Sequence, residues 1–396
     1  MPWKETCAMD HKVQLTGDWL SGEYSITDLS EIYEVSRPTV YKWIGRYQEE
    51  GLAGLEERSR IPRNQPNATP SEIVTMIVTT KLDHQNWGPK KITAWLKNHR
   101  PGEQWPAVST AGEILKREGL VSPRKKRRRT PPYMYPFQGY DNPNDVWSAD
   151  YKGEFRTGDA KLCYPLTITD NNSRYLLECR ALSRPTYEQT HPWFKWVFRE
   201  YGLPEAIRTD NGSPFASVAL GGLSRLSAWF IKLGIRPERI EPGRPDQNGR
   251  HERMHKTLKE ETAKPPMSNL RAQQRAFNEF QKEYNTERPH EALNQKPPDS
   301  VYQPSLRSYP RRLLKVEYGA DVVVRKVRHS GEIKWKGNFI YVSQVLAKEP
   351  ISLKQTDEHL WEVKYSFHSL GMLNEFTGKI SPHKDERKKG YQRHRR

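Results

Sequence analysis

Residues 146–182 decide the fold: VWSADYKGEF (146–155), KLCYPLTITD (161–170) and RYLLECRAL (174–182). Their apolar, aromatic and β-branched side chains predict three strands, with Asp170-Asn171-Asn172-Ser173 as the turn between the second and third. An amphipathic helix from about Thr186 to Tyr201 follows, its apolar face supplied by Trp193, Trp196 and Val197. Glu205–Asp210 reads as a short strand running into Asn211-Gly212. A helix over about Leu223–Leu233 and a strand over Arg236–Ile240 come next. GRPDQNGRHE (243–252) then leads into a helix through His255, Lys256 and Lys259. Three strands, helix, strand, helix and strand predict an α/β layer with a mixed sheet.

Three carboxylates are placed where chemistry is expected. Asp150 lies inside an otherwise apolar strand, where an unpaired charge is costly. Asp210 stands at a strand end, the usual position of functional groups in open α/β sheets. Glu252 lies on the helix after the Gly/Pro-rich approach. Clustered carboxylates resist joint ionisation unless a cation neutralises them. Hard oxygen donors without neighbouring cysteines favour Mg²⁺, with Mn²⁺ as its substitute, over zinc. A pair of such ions suits phosphodiester chemistry.

These blocks carry a resemblance. Trp147-Ser148-Ala149-Asp150, Thr209-Asp210-Asn211-Gly212, and Gly243-Arg244-Pro245 with Asn248-Gly249 and Glu252 resemble the Asp-Asp-Glu signature of bacterial insertion-sequence transposases with a retroviral-integrase-like core. Tyr284-Asn285-Thr286-Glu287-Arg288-Pro289-His290-Glu291-Ala292-Leu293 is similar to another mark of these enzymes. The resemblance spans essentially the whole chain and is densest over 140–300. It implies an RNase H-like core in which Asp150, Asp210 and Glu252 are catalytic and bind two Mg²⁺ ions. The 41 residues between Asp210 and Glu252 are somewhat more than in many relatives; the segment 218–223 accommodates the excess. Glu241 and Asp246 are rival third ligands. Asn248, Glu252, Lys256 and Lys259 share a helical face, which favours Glu252 and sets Lys256 and Lys259 toward DNA phosphates. The competing reading pairs those lysines with Glu260 and Glu261. Asp170 reads as turn chemistry, His251 and His255 as supporting or phosphate-facing groups, and Cys163 and Cys179 as small buried hydrophobes. His290 reads as structural, with DNA contact as its alternative.

The net charge of +17 is unevenly spread: residues 1–130 carry +5, residues 151–300 carry +5 and residues 301–396 carry +10. Arg124-Lys125-Lys126-Arg127-Arg128-Arg129 is a cationic run suited to polyanions. Upstream, SITDLSEIYEVSRPTVYKWIGRYQEE (25–50) has the pattern of a helix-turn-helix. Ser25 or Thr27 caps a helix with Leu29, Ile32 and Tyr33 on one face, and Ser36 caps a second that Gly51 ends. Val40, Ile44 and Tyr47 are its predicted inner face, leaving Arg37, Thr39, Lys42 and Arg46 to read DNA. Helices over Glu72–Lys81, Lys90–Asn98 and Ser109–Arg117 form a second such set, with Ser109 as a cap and Lys116 facing DNA.

Short strands at 322–324, 331–336, 338–342, 351–354 and 360–365 predict a small SH3-like barrel. The predicted division is a helix-turn-helix over 1–60, a second helix-turn-helix or winged-helix-like module over 66–123, and a basic linker over 124–139. An integrase-like core over 140–304, a barrel over 310–382 and a basic tail over 383–396 complete it. Nothing in the sequence approaches the ~18 apolar residues of a membrane span, the N-terminal stretch shows no apolar leader, and three cysteines form no C-x-x-C pair. No G-x-x-x-x-G-K-[ST] loop points to ATP. The expected protein is a cytoplasmic, nucleoid-associated transposase acting on double-stranded DNA, both element ends and target, as a homo-oligomer. Its expected rivals are a DNA-binding regulator that retains a silent core and a nuclease that only hydrolyses.

Overall fold

The computed structural model describes residues 7–58, 68–121, 141–217, 220–240, 249–313 and 315–381. It divides at Ala68 into two compact units.

The first unit holds three helices, α1 (Ala8–Ser21), α2 (Ile26–Ile32) and α3 (Arg37–Glu50). Ser25 caps α2: its hydroxyl accepts from the Asp28 N–H while the Asp28 carboxylate accepts from the Ser25 N–H at 2.9 Å. Leu15, Leu29, Val40 and Ile44 form the core. Ile32, predicted inward, is 54% exposed, and Tyr47 is only half-buried. Trp43 takes the inner position instead, with Lys12, Lys42 and Arg46 ranged over its ring at 3.9, 4.9 and 5.0 Å. Ser36 stands at the head of α3, but its hydroxyl meets that of Thr39 rather than a backbone N–H.

The second unit begins with α4 (Ser71–Asp83), α5 (Pro89–His99) and α6 (Val108–Arg117), packed on Ile77, Trp87, Ile92, Leu96 and Leu115. Ser109 lies inside α6, and Ala107 occupies the capping position. Next comes a mixed sheet of β1 (Val146–Tyr151), β2 (Phe155–Arg156), β3 (Leu162–Asp170), β4 (Leu176–Leu182), β5 (Ala206–Thr209) and β6 (Arg236–Arg239). The spatial order is β4–β3–β1–β5–β6, with β2 continuing the line of β1 along β3. β3 and β4 run antiparallel to their neighbours, while β1, β5 and β6 are mutually parallel.

Strand alternation assigns the two faces of this sheet. Trp147, Ala149, Leu166 and Ile168 meet α7 (Tyr187–Tyr201) and α8 (Arg225–Lys232) through Phe194, Val197, Phe198 and Phe230. Each buried phenyl ring contributes about 1.5–3 kcal/mol. Trp196, predicted on the apolar face of α7, is 42% exposed because Phe194 and Phe198 occupy that face. The opposite sheet face packs against α9 (Gly249–Thr262) and α10 (Leu270–Thr286) through Met254, Leu258, Phe277, Phe280 and Tyr284.

The free edge of β4 is closed by amide side chains of α10. Asn285 accepts from the Leu176 N–H at 2.8 Å and donates to the Leu176 carbonyl at 2.9 Å. Gln281 donates to the Leu176 and Leu177 carbonyls, and Gln274 accepts from the Ala181 N–H and donates to the Cys179 carbonyl. These amides do what a further strand would do for an exposed edge.

The C-terminal residues form an antiparallel sheet ordered β13–β12–β11–β10–β7 and a separate hairpin, β8–β9. Their ranges are β7 (Val323–Lys326), β8 (Glu332–Trp335), β9 (Asn338–Tyr341), β10 (Pro350–Asp357), β11 (Leu360–Tyr365), β12 (His368–Asn374) and β13 (Lys379–Ser381). Both close on a core of Ile333, Trp335, Leu353, Val363, Tyr365 and Leu373. The architecture is thus N-terminal helices, a mixed α/β core and C-terminal antiparallel strands.

Asn285→Ala leaves the Leu176 N–H buried without its acceptor and is expected to cost about 1–3 kcal/mol. The check is urea denaturation, where the midpoint should fall at an unchanged slope; an unchanged midpoint would show that the β4 edge does not depend on this amide.

Candidate active site

Asp150 is on β1 and Asp210 directly follows β5. The register pairs Ala149 with Thr209, so the two acids occupy the next positions of adjacent parallel strands, which lie about 4.8 Å apart. Period 2 turns Asp150 toward α9. The Asp210 carboxylate accepts from the Gly212 N–H at 3.0 Å. A β-carbon at Gly212 would lie 2.9 Å from the Asp210 Oδ2, which accounts for glycine there. Asn211 secures the same loop by donating to the Ile240 carbonyl at 2.8 Å. The Asp210-Asn211-Gly212 motif therefore has a local mechanical reading: it presents the carboxylate and ties its loop to the end of β6.

Glu252 lies in the first turn of α9 and is solvent-exposed, and its charge acts on Asp150. The Asp150 carboxyl is pushed up to about 7, mainly by burial and then by the charge of Asp210, with a smaller push from Glu252. The Tyr151 N–H and the charge of Lys152 act in the opposite direction. Burial likewise raises Asp210, partly offset by its bond from Gly212. A buried acid on which two other acids act in this way needs a countercharge, and the oxygen donors suit a divalent ion.

The position of α9 beside β1 is fixed by a hydroxyl–imidazole network that the sequence reading did not detect. Thr167 Oγ1 lies 2.7 Å from His251 Nε2, 2.6 Å from His255 Nε2 and 3.2 Å from the Asp150 carbonyl. His251 Nδ1 is engaged by Thr169 Oγ1 at 2.9 Å, and His255 Nδ1 stands 3.8 Å from Asp150 Oδ2. Asp150, His251 and His255 thus also have the donors of a small metal cluster. Both nitrogens of His251 are already occupied by threonine hydroxyls, which favours a supporting role. Burial holds both imidazoles neutral, His251 down at about 3 and His255 well below its ordinary value. The alternation Leu166-Thr167-Ile168-Thr169 was the available signal: polar residues on one face of an otherwise buried strand require partners.

Lys256 and Lys259 are exposed on the Glu252 side of α9. Lys256 makes one solvent-exposed contact, 3.8 Å from Glu260, while Glu261 is engaged instead by Arg288 at 2.8 Å. Asp170 accepts from the Asn144 N–H and from the Ser173 N–H and hydroxyl, the arrangement expected of a turn residue. His290 packs edge-on against Tyr284 at 4.8 Å. Cys163 and Cys179 are fully buried. On α3, Arg37 and Lys42 are exposed, and Thr39 and Arg46 are half-buried. Lys116 is exposed, 3.8 Å from Glu113. Arg124, Lys125, Lys126, Arg127, Arg128, Arg129, Glu241, Asp246, Asn248 and the tail over 383–396 lie outside the described residues.

The raised Asp150 has a thermodynamic signature. Below its ordinary value near 3.8 Asp150 is protonated whether folded or not; as pH rises from there to about 7 the folded chain holds a proton that the unfolded chain has lost, so stability falls across that window and the loss is complete above 7. In chelator at pH 8, Asp150→Asn is therefore expected to raise the melting temperature, by about 2–4 °C per kcal/mol recovered, with the gain fading toward pH 5. A variant that melts below the parent at pH 8 would contradict the buried repulsion.

Two integrase core domain families match the chain, over residues 141–245 and 233–298. A helix-turn-helix domain family matches 11–63 and a homeodomain-like domain family matches 39–115. An insertion element IS476 protein of 39.2 kDa from Xanthomonas euvesicatoria is 26% identical over 250 residues, covering 62% of this chain and 69% of that protein. An insertion element IS407 protein of 31.7 kDa from Burkholderia multivorans is 28% identical over 166 residues, covering 38% of this chain and 53% of that protein. Among solved structures, the HTLV-2 integrase catalytic core domain aligns with 41% of this chain and 98% of its own length, at 17% identity and a TM-score of 0.33. With integrase core domains behind helix-turn-helix domains, and relatives in bacterial insertion elements, the chain is an enzyme of the DDE transposase/integrase class, a polynucleotidyl transferase.

Proposed function

We propose that the protein binds the terminal inverted repeats of its own mobile element, cleaves DNA at their ends and joins them to target DNA, using two Mg²⁺ ions. The observation that carries this reading is the β1–β5 register, which sets Asp150 and Asp210 side by side while Glu252 acts on Asp150 from α9. Asp150, Asp210 and Glu252 would hold the ions. Mn²⁺ would substitute. When bound, the metals supply Lewis acidity for an attacking oxygen and stabilise the leaving oxygen of the phosphodiester.

The chain's own groups divide the remaining work. Thr167, His251 and His255 hold α9 against β1, so that Glu252 is presented on the open side of the site. Asn248, Lys256 and Lys259 would line the DNA path there, and exposed lysines suit phosphates as mobile point charges. Arg37, Thr39, Lys42 and Arg46 on α3, with Lys116 on α6, would meet the element end, the side chains at base edges supplying specificity. The run Arg124–Arg129 would add sequence-independent affinity by releasing counterions. Water attacks first and frees a 3′-hydroxyl; that hydroxyl then attacks target DNA in line. Paired ends imply a homo-oligomer on DNA. A cytoplasmic, nucleoid-associated location follows from this activity, and no helix among the described residues is long and apolar enough to cross a membrane.

The test combines purified protein, labelled end DNA, Mg²⁺ and a supercoiled plasmid. Joined products are expected. Nicks alone would favour a hydrolytic nuclease, and binding without cleavage would favour a regulator. Asp150→Asn, Asp210→Asn and Glu252→Gln are each expected to abolish joining while end binding persists; undiminished joining removes that residue from the site.

On α3, Lys42→Ala is expected to weaken end binding and, if the lysine meets a phosphate, to lower the slope of log affinity against log salt by about 0.9. An unchanged affinity and slope would place the reading surface elsewhere.

A further inference from the structure

The C-terminal hairpin has an outer face that the strand-transfer chemistry does not use. Alternation along β8 and β9 buries Ile333, Trp335 and Ile340 and turns Lys334, Phe339 and Tyr341 outward. Phe339 is 53% and Tyr341 59% exposed, although both are large rings on a well-paired strand. Lys334 stands opposite Phe339 in the register, and the Arg328 guanidinium lies 4.6 Å from the Phe339 ring centre. The Tyr341 ring lies against the turn before β8: a β-carbon at Gly331, whose φ is +84°, would come within 2.9 Å of it.

Beside the hairpin, Lys326, Val327, Arg328, His329, Ser330 and Lys348 line an open cavity of about 660 Å³. Arg328 belongs to both features. Elsewhere in the module Lys336 and Lys354 have carboxylate partners, at 2.7 and 3.3 Å. Among the described residues, Lys326, Arg328, Lys334 and Lys348 have none within 4 Å. The face therefore combines exposed rings with cations outside any ion pair, while Glu332, opposite Tyr341 in the register, accepts from the Ser330 hydroxyl at 2.8 Å.

Each half of that combination narrows the partner. Cations without countercharges suit a polyanion. Exposed rings suit a flat apolar surface, and a paired duplex keeps the faces of its bases inside the stack. A strand with unpaired bases offers both, phosphates to the cations and base faces to Phe339 and Tyr341, and stacking of this kind tolerates any sequence. We propose that this face is a binding site for unpaired nucleotides of a DNA strand. The proposal rests on the strand-transfer reading only for the source of that strand.

The experiment uses the full chain and fluorescence anisotropy at about 0.15 M salt. The probes are a labelled oligothymidylate, an abasic oligonucleotide of equal length and charge, and the duplex element end, with polyglutamate as competitor. The parent protein is expected to prefer oligothymidylate to the abasic strand at least about tenfold. Phe339→Ala with Tyr341→Ala should remove that preference while leaving the melting temperature and duplex-end binding unchanged. Lys326→Ala with Lys348→Ala should weaken both single strands alike and flatten their salt dependence. Equal binding of the two strands by the parent, an undiminished preference in the double aromatic variant, or polyglutamate competing as well as oligothymidylate would each overturn the proposal. Absence of single-strand preference in the parent protein, with end joining intact, overturns this site alone. Absent end joining with the preference intact overturns the strand-transfer reading alone.

Discussion

The parallel pairing of β1 with β5 is the constraint on which the rest of the core depends. Ala149 beside Thr209 leaves Asp150 and Asp210 adjacent, one half-buried in the sheet and the other on a loop pinned by Gly212 and Asn211. Burial and the neighbouring charge together raise Asp150 to about 7. A fold selected for stability alone would place an aliphatic residue there. The opposite face of the sheet carries a separate apolar core in which Trp147 and Ile168 meet Phe194 and Phe198.

The third acid is held indirectly. Glu252 stands exposed in the first turn of α9, so its position is that of the helix. Helix α9 is fixed at its start by His251 and His255 on Thr167 and at its end by Glu261 with Arg288 and by the Gln273 amide on the Thr262 carbonyl. Arg288 and Gln273 flank or belong to α10, and α10 is fastened to β4 by Gln274, Gln281 and Asn285. The motif Tyr284–Leu293 accordingly has a mechanical content: Tyr284 and Asn285 anchor the helix, and Arg288 ties it to α9. A chain of buried hydrogen bonds thus runs from an edge strand to the helix that carries Glu252, and breaking it at any point frees that helix rather than the acid itself.

Much of this was legible in order along the chain. The strands around Asp150, Leu166 and Leu177 follow from alternation, and the position of Asp210 from a strand ending in Asn-Gly. Features set by tertiary register were not legible. Amides at 274, 281 and 285 look like an ordinary polar helix face until β4 is known to lie at an edge. Trp43 is buried with three cations over its ring, which no local pattern announces. Helix α1 went unpredicted, its buried residues being only Leu15 and Thr16. Strands β12 and β13 were missed for a similar reason: Gly371 interrupts one, and the other is three residues long.

Distribution of charge gives the last step. Where the chain buries a cation, as at Arg208 with Glu238 or Arg288 with Glu261, a carboxylate stands at 2.8 Å. Two groups of exposed cations stand beside something else: Lys259 beside the Glu252 face of α9, and Lys326, Arg328, Lys334 and Lys348 beside the exposed rings of the C-terminal hairpin. A net charge of +17 would spread evenly if solubility were its only purpose. Groups such as these two suit a surface that meets polyanions, because an unpaired surface cation costs little in water and gains most where a phosphate displaces its counterions.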